Sequence, residues 1–347
     1  MQKEITKPTK LLTRKGTLYQ QGWARHPYFN YERKQVRASK FKIKEWDYYA
    51  ITNQKEKYTI AVTISDLGYS SLVSIAYIDY KVQQYAQIDK VVLLPFTRIK
   101  LSPNTIDDSF VTKSYSNLRA CFIKKGDKRR LLFSAPQLKL PDGHVGLDVD
   151  VELLQKKDME SINIATSWKE NRKAFYLNEK INCMRVSGTI KRGYDSETVN
   201  PKHTFATLDW GRGKWTYKNT WYWASLSTQI EKIPVGFNLG YGFTDRTPAS
   251  ENAIFYNNKI HKLDQVTFTL PKNGYLDGEW KFRDNENRLD LIFTPLVDRI
   301  GYFNFGIIKS DQHQVFGEYS GKLILDNKEI IVLEKQLGFA EKVYNKW

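Results

Sequence analysis

The chain has 347 residues, of which 41% are hydrophobic, and its formal net charge is +16. This length and composition exclude a disordered chain, and two cysteines, Cys121 and Cys183, are too few for a disulfide framework. No apolar run is long enough for a signal peptide or a membrane-spanning helix, so we expect a cytoplasmic protein without a transmembrane segment.

Positive charge is concentrated at the start of the chain. Residues 1–44 contain 12 Lys or Arg and two acids, a net charge of +10, which leaves +6 for the remainder. Such a region can bind nucleic acid or an anionic membrane surface. No zinc spacing, heptad pattern or RNA-binding aromatic motif accompanies it. We therefore favour the alternative, a Lys-rich composition that keeps the protein soluble.

Alternating apolar side chains predict β-strands along most of the chain. Apolar residues recur at every second position in four runs, which are 58–64, 145–153, 266–270 and 289–293. We expect each run to be a strand with one buried and one wetter face. Turn signals such as Asn-Gly and Asp-Gly separate the strands, and these turns are too short for parallel crossovers. The pattern therefore predicts antiparallel sheets.

Two further features set the predicted organisation. Helical periodicity is weak, and residues 337–347 are the best candidate for a helix. The polar segment 192–203 divides the chain into nearly equal halves. We therefore predict two domains, residues 1–195 with the basic N-terminal region and residues 196–347. The predicted fold class is mainly β, with two tandem antiparallel barrels or curved sandwiches and a short C-terminal helix.

The most unusual segment is Asp209 to Trp223, which contains four of the nine tryptophans. Arg212 lies between two glycines, and we expect its guanidinium to stack on Trp215 or Trp223. Trp221 and Trp223 are predicted to share one face of a strand. A buried guanidinium needs an acidic partner. The candidates for that partner are Asp209, Asp245 and Glu251.

A second patch of polar residues follows in an apolar, glycine-rich stretch. Its members are Asn238, Asp245, Glu251 and Asn252. Buried polar side chains need hydrogen-bond partners or must face a cavity. The patch, with Arg212 and the tryptophans, therefore lines a ligand pocket or forms a structural network that closes one end of a barrel. The five histidines lack metal-ligand spacing and no nucleotide-binding loop is present, so we predict no metal and no cofactor.

Several motifs resemble those of an uncharacterised, mainly bacterial family, domain of unknown function 2804. They are DWGRG-x-W at 209–215, W-x-W-A-S at 221–225 and CMRVSG at 183–188. The resemblance covers nearly the whole chain and includes an acidic C-terminal helix around Glu341. The family has no assigned reaction, so the resemblance implies no catalytic residues.

The layout of that family is similar to the tandem lipocalin-like, or calycin, folds of carotenoid hydratases and tocopherol cyclases. The similarity implies two lipocalin-like barrels, but a fold alone does not give a function. Gly213-Lys214-Trp215 also resembles the Gly-x-Trp form of lipocalin-like barrels. In those barrels an Arg covers the indole, so the similarity implies an Arg over Trp215.

Two functions stay open on these residues. The first is an enzyme acting on an apolar, isoprenoid-like small molecule by hydration or cyclisation, which needs a proton-donating acid, aromatic faces and a dry cavity. Candidate acids are Asp209, Asp245 and Glu251, and candidate faces are Trp215, Trp221 and Trp223. The alternative is a non-catalytic binder or carrier of a lipophilic or sugar-like ligand.

Overall fold

The computed structural model describes residues 2–94 and 98–346, and nearly all of its regular structure is β-strand. Strands β1 to β15 are Thr9–Lys10, Gly22–Ala24, Phe29–Asn30, Ile43–Asn53, Tyr58–Asp66, Ser70–Asp79, Gln84–Leu93, Ser109–Tyr115, Leu118–Lys125, Lys128–Lys139, Val145–Leu154, Ile162–Ser167, Phe175–Arg192, Asp195–Val199 and Thr204–Lys214. Strands β16 to β24 are Lys218–Ile230, Ile233–Tyr241, Ala253–Tyr256, Lys259–Lys262, Val266–Thr269, Trp280–Asp284, Leu289–Phe305, Ile308–Ile324 and Ile330–Lys346. Two short 3-10 turns, Arg33–Gln35 and Lys40–Lys42, precede β4. Among the described residues, no helix has the length and apolar character needed to span a bilayer.

The strands form two large curved antiparallel sheets. The main path of the first sheet runs β7-β6-β5-β4-β15-β13-β11-β10-β9-β8, with β12 and β14 also paired to β13, and β2 paired to β12. The second sheet runs β19-β18-β17-β16-β24-β23-β22-β21-β20. The short strands β1 and β3 pair in parallel outside these sheets. The prediction of a mainly β protein with two curved antiparallel sheets is confirmed.

The chain passes from the first sheet to the second between Lys214 and Lys218. This is later than the predicted domain division after residue 195, because β15 pairs with both β13 and β4 in the first sheet. The DWGRG segment therefore belongs to the first sheet, whereas the strand that carries Trp221 and Trp223 belongs to the second. The tryptophan-rich segment lies where the two sheets meet.

The predicted C-terminal helix is wrong. Ile330–Lys346 is strand β24, which lies in the middle of the second sheet and pairs with β16 and β23. Leu337 and Phe339 face the first sheet, whereas Ala340 faces the core of the second half. This alternation has the period of a strand, and the two neighbouring strands satisfy the backbone hydrogen bonds that a helix would have made internally.

The second sheet covers one face of the first sheet, so β5 is buried on both faces. Ile60 and Val62 belong to the core of the first half, whereas Ala61 between them packs against the second sheet. Ala50, Ala61 and Ala76 are direct cross-strand neighbours, and their small side chains let the second sheet approach closely. The expectation of a wetter face is therefore wrong for this strand.

A bulge in β13 fastens the two sheets together. The pairing register of β13 with β15 shifts between Ile181 and Met184, and Cys183 has a φ of 63°. This kink directs Asn182 toward the second sheet. The Asn182 Nδ2 atom donates to Ser225 Oγ at 2.8 Å and to two backbone carbonyls of β16 and β17, each at 3.1 Å.

Candidate functional site

Arg212 lies in a structural network of the first half. Its side chain is fully buried, and Nη2 lies 2.8 Å from Asp47 Oδ1 and donates to the Ser102 carbonyl at 2.7 Å. The guanidinium carbon lies 4.2 Å from the centre of the Trp210 ring. Every hydrogen-bond acceptor named here belongs to the first half, so this network helps to close the core of that half.

The predicted partners of Arg212 are therefore wrong. Its acidic partner is Asp47 rather than Asp209, Asp245 or Glu251, and it covers Trp210 rather than Trp215 or Trp223. The physical reason is strand alternation, because Trp210 and Arg212 are two residues apart on the same face of β15. Asp209 lies on the opposite face, which is turned toward the second sheet.

A cluster of charged side chains is buried between the two sheets, and we call it the buried acid cluster. It contains Lys180, Asp209, Glu251 and Glu341, and each of them is less than one-tenth exposed. Lys180 Nζ lies 2.9 Å from Asp209 Oδ2 and 4.0 Å from Glu251 Oε2. The same ammonium lies 3.8 Å from the centre of the Trp223 ring. One cation thus faces several carboxyl groups and an indole.

Glu251 is the carboxyl with a free oxygen. Its Oε2 atom is buried and accepts no hydrogen bond from the described residues. Burial raises the pKa of Glu251 to about 7, and the attraction of Lys180 offsets this only in part. On the other side of the carboxyl, a Cβ added to Gly240 would lie 1.8 Å from Oε1. Gly240 therefore leaves the space that this carboxyl occupies.

Glu341 is a second buried acid, held from both sides. Trp221 Nε1 donates to Oε1 at 2.8 Å, and Gln314 Nε2 donates to Oε2 at 3.1 Å. Burial raises the pKa of Glu341 to about 7, and the Trp221 hydrogen bond opposes this shift. The carboxyls of Glu251, Glu341 and Asp209 also influence the phenol of Tyr176 electrostatically. Burial and these three acids raise the pKa of Tyr176 well above its ordinary value.

The two predicted asparagines fix the surroundings of Glu251. Asn238 Oδ1 accepts from Trp223 Nε1 at 2.7 Å, and Asn238 Nδ2 donates to the Glu251 carbonyl at 2.8 Å. Asn252 Oδ1 accepts from the Gly240 backbone N–H at 2.7 Å. These bonds hold the Trp223 indole and the Glu251 backbone in place relative to each other. The geometry therefore supports the interpretation in which these asparagines belong to a structural hydrogen-bond network.

Asp245 lies apart from the buried acid cluster, at the rim of an open cavity. Its Oδ2 atom accepts from Arg172 Nη2 at 2.8 Å. Partial burial would raise the pKa of Asp245, but hydrogen bonds from Arg172 and Thr247 hold it below its usual range. A carboxyl that stays ionised and paired is a poor proton donor. Asp245 is therefore the weakest of the three predicted acids.

Aromatic side chains form a layer between the open cavity and the buried acid cluster. Trp215 lies at its centre, 5.2 to 5.7 Å from the ring centres of Phe243, Trp168, Tyr176, Trp46 and Trp221. The cavity measures about 1060 Å³, and its inner wall includes Trp23, Trp168 and Phe243. Phe243 belongs both to this wall and to the aromatic layer.

The face predicted for the W-x-W strand is confirmed. Trp221 and Trp223 of β16 both point toward the first sheet, whereas Tyr222 and Ala224 pack in the core of the second half. Trp215 lies in the aromatic layer, and the guanidinium of Arg212, the nearby Arg in the chain, covers Trp210 instead. Trp215, Trp221 and Trp223 thus all lie between the two sheets.

Sequence reasoning missed two members of the cluster. Lys180 lies in the polar run Asn178-Glu179-Lys180 between the apolar residues Leu177 and Ile181 of a strand, and this run was the available signal. Glu341 was placed in a helix, although Leu337, Phe339 and Glu341 recur with the period of a strand. Over residues 2–94 and 98–346, no group of three or more His, Cys, Asp or Glu side chains has the arrangement of a metal site.

The chain belongs to the family named domain of unknown function 2804 (DUF2804), whose model matches residues 2–347. No curated protein matches the sequence. Among solved structures, CghA with Sch210972 has a TM-score of 0.53 at 10% identity, covering 88% of each chain. CghA alone gives 0.53 at 8% identity over 90% of each chain, and kievitone hydratase from Nectria haematococca gives 0.47 at 13% identity over 88% of each chain. At these identities the likeness to CghA shows the fold alone.

Proposed function

We propose that this member of the DUF2804 family is an enzyme that donates a proton to an apolar, isoprenoid-like small molecule, in hydration or cyclisation chemistry. One observation carries the proposal. Glu251 is a buried carboxyl with an oxygen that accepts no hydrogen bond from the described residues, and its pKa of about 7 keeps the proton available near neutral pH. General acids work best when their pKa lies close to the working pH.

The charge balance of the buried acid cluster supports a stored proton. Asp209 pairs with Lys180 at 2.9 Å, so one carboxylate and one ammonium neutralise each other. Glu251 and Glu341 then lack a positive partner of their own at hydrogen-bond distance within the cluster. An isolated buried charge costs several kcal/mol, and a carboxyl avoids that cost by keeping its proton. Burial thus raises the pKa of each of these two acids to about 7, so that each still holds a proton part of the time at neutral pH.

The aromatic surroundings suit the charge that follows protonation. When Glu251 gives its proton to one carbon of a C=C bond, the π electron pair forms the new C–H bond. The other carbon becomes positive, and the ring of Tyr176 borders the same cluster, whereas the ammonium of Lys180 already occupies a face of Trp223. A cation–π contact contributes about 0.5–2 kcal/mol each. Water or a second C=C bond then adds to the cation, and the surplus proton returns to the Glu251 carboxylate.

We place substrate entry at Phe243. This ring lies in the connection between β17 and β18, where the neighbouring Gly242 and Thr244 have φ values of 118° and 55°. It lines the open cavity on one side and packs 4.9 Å from the Tyr176 ring centre on the other. A turn of this side chain would open a path from the cavity to the Tyr176 ring. An apolar molecule would then pass from the open cavity along aromatic side chains toward Glu251.

The proposal is tested by proton transfer in D₂O. The protein is incubated with a panel of isoprenoid alkenes and alcohols, and the products are weighed by mass spectrometry for added deuterium. Glu251→Gln keeps the size of the side chain but has no acidic proton, so turnover should fall by about 10²–10⁴-fold. Asp245→Asn is the matched control and should retain turnover. Equal turnover in wild type and Glu251→Gln would refute the role of Glu251.

The cavity favours a second candidate, a non-catalytic carrier. Its volume of about 1060 Å³ is large enough for a drug-sized ligand, and Trp23, Trp168 and Phe243 line it among mostly polar and charged side chains. Native mass spectrometry of protein purified from its own host separates the two functions. A carrier would release its ligand unchanged after prolonged incubation, and Glu251→Gln would retain the same ligand. An enzyme would release a product that differs from the substrate by water or by ring closure.

A further inference from the structure

Three lysines meet at one end of the second sheet. Lys346 is the direct cross-strand neighbour of Lys218 on one side and of Lys309 on the other. Like charges that lie directly opposite each other on neighbouring strands destabilise a sheet. Asp311 pairs with Lys309 at 3.4 Å, which offsets part of this repulsion. The row as a whole carries more positive than negative charge and is suited to an anionic partner.

Exposed apolar and aromatic side chains surround this row. The exposed fractions are 47% for Tyr217, 61% for Tyr302 and 74% for Ile307. The Tyr217 hydroxyl donates to the Ile307 carbonyl at 2.6 Å, so the turn between β22 and β23 is tied to the start of β16. Lys346 Nζ donates to the Gly306 carbonyl of the same turn at 3.1 Å. We call these six residues the tyrosine–lysine patch: Tyr217, Lys218, Tyr302, Ile307, Lys309 and Lys346.

The patch is continuous with the mouth of the open cavity. Lys218 lines the cavity together with Asn219 and Thr220, the next two residues of β16. The cavity also extends to Phe243, where we place entry to the buried acid cluster. A surface that binds the patch would therefore lie beside the entrance for an apolar molecule.

We infer that the tyrosine–lysine patch docks the protein on an anionic lipid surface, from which the apolar substrate enters the cavity. This inference rests on the proposed function for the identity of what enters. Lysines are attracted to anionic headgroups, and tyrosine is enriched at the boundary between headgroups and acyl chains. The exposed Ile307 side chain favours a lipid surface over nucleic acid, because an aliphatic side chain gains most by entering hydrocarbon.

The inference is tested by co-sedimentation with vesicles of phosphatidylcholine and phosphatidylglycerol at low salt, with pure phosphatidylcholine vesicles for comparison. Wild type should bind the mixed vesicles, and added salt should weaken binding. Reversing the charge of the three patch lysines should weaken binding by at least about 100-fold. That variant is K218E, K309E and K346E combined.

A matched control separates the patch from the general positive charge of the protein. Reversing three exposed lysines of the basic N-terminal region changes the net charge equally and should weaken binding only a few-fold. That control is K7E, K10E and K15E combined. A double variant, Tyr302→Ser with Ile307→Ser, keeps the charge and should also weaken binding, since it removes the apolar contact. Circular dichroism checks that each variant is folded.

Three results would overturn the inference. They are no binding of wild type to anionic vesicles at low salt, equal losses in the two triple variants, and tighter binding of the patch to duplex DNA than to vesicles. None of these results bears on the proposed function, because proton transfer to a dissolved substrate depends on Glu251 and should be unchanged in the Tyr302→Ser and Ile307→Ser double variant, whose residues do not line the cavity. Conversely, vesicle binding should be unchanged in Glu251→Gln.

Discussion

Replacing Glu251 by Gln removes one titrating proton from the space between the two sheets. Burial raises the pKa of Glu251 from its ordinary value of 4.5 to about 7. As pH rises through this interval, the unfolded chain releases the proton before the folded chain does, so the folded state loses stability relative to the unfolded state. A one-unit difference in pKa corresponds to about 1.4 kcal/mol. The total loss above about pH 7 is therefore on the order of 3 kcal/mol.

The assay is urea unfolding of wild type and Glu251→Gln at about pH 5 and about pH 8, followed by circular dichroism and tryptophan fluorescence. Between these pH values the free energy of unfolding of the variant should rise by about 2–3 kcal/mol relative to wild type. Asp245→Asn is the control. Hydrogen bonds hold the pKa of Asp245 low, so the stabilisation by this carboxylate is lost only as pH falls below the pKa that Asp245 has in the unfolded chain. The difference in free energy of unfolding between Asp245→Asn and wild type should therefore stay constant between about pH 5 and about pH 8. A Glu251→Gln difference that is equal at both pH values would refute a raised pKa.

Two further substitutions test the packing around the site. Asp47→Asn leaves the fully buried guanidinium of Arg212 without its counter-charge, so the free energy of unfolding should fall by about 3–5 kcal/mol. A loss below about 1 kcal/mol would contradict the importance of this ion pair. Gly240→Ala places a methyl group 1.8 Å from Glu251 Oε1 and should displace the carboxyl. We therefore expect this variant to transfer less deuterium to the substrate in D₂O. Gly301→Ala is its control, since the nearest atom to the added methyl there is 3.5 Å away, and deuterium transfer should be unchanged.

The period-two pattern was enough to predict two antiparallel sheets and the shared face of Trp221 and Trp223. It was not enough to find the partner of Arg212, because Asp47 lies 165 residues away in the chain. The contact arises from the register of β15 against β4, and no local pattern specifies that register. The glycines beside Arg212 indicated a closely packed site. Because side chains alternate along β15, however, the guanidinium lies on the face of the strand opposite to Asp209.

The sequence pointed to two of the four members of the buried acid cluster. Asp209 and Glu251 stood out as acids within apolar, aromatic segments, and both are buried beside Lys180. Lys180 joins the cluster as the direct cross-strand neighbour of Asp209 in the first sheet, a pairing that no local pattern specifies. Glu341 belongs to the second sheet and joins through the packing of that sheet on the first. The C-terminal strand was wrongly predicted as a helix because it is a short alternating run with several charges. Glu341 was lost with it.

The account depends on carboxyl groups that keep their protons between the two sheets at neutral pH. Infrared difference spectra of protein labelled with ¹³C at its glutamate carboxyls, recorded from about pH 5 to about pH 9, measure this directly. We predict a protonated glutamate band that titrates near pH 7, as the pKa values of Glu251 and Glu341 require, and that is reduced in Glu251→Gln and Glu341→Gln. Spectra in which every glutamate is ionised by about pH 6 would contradict the account.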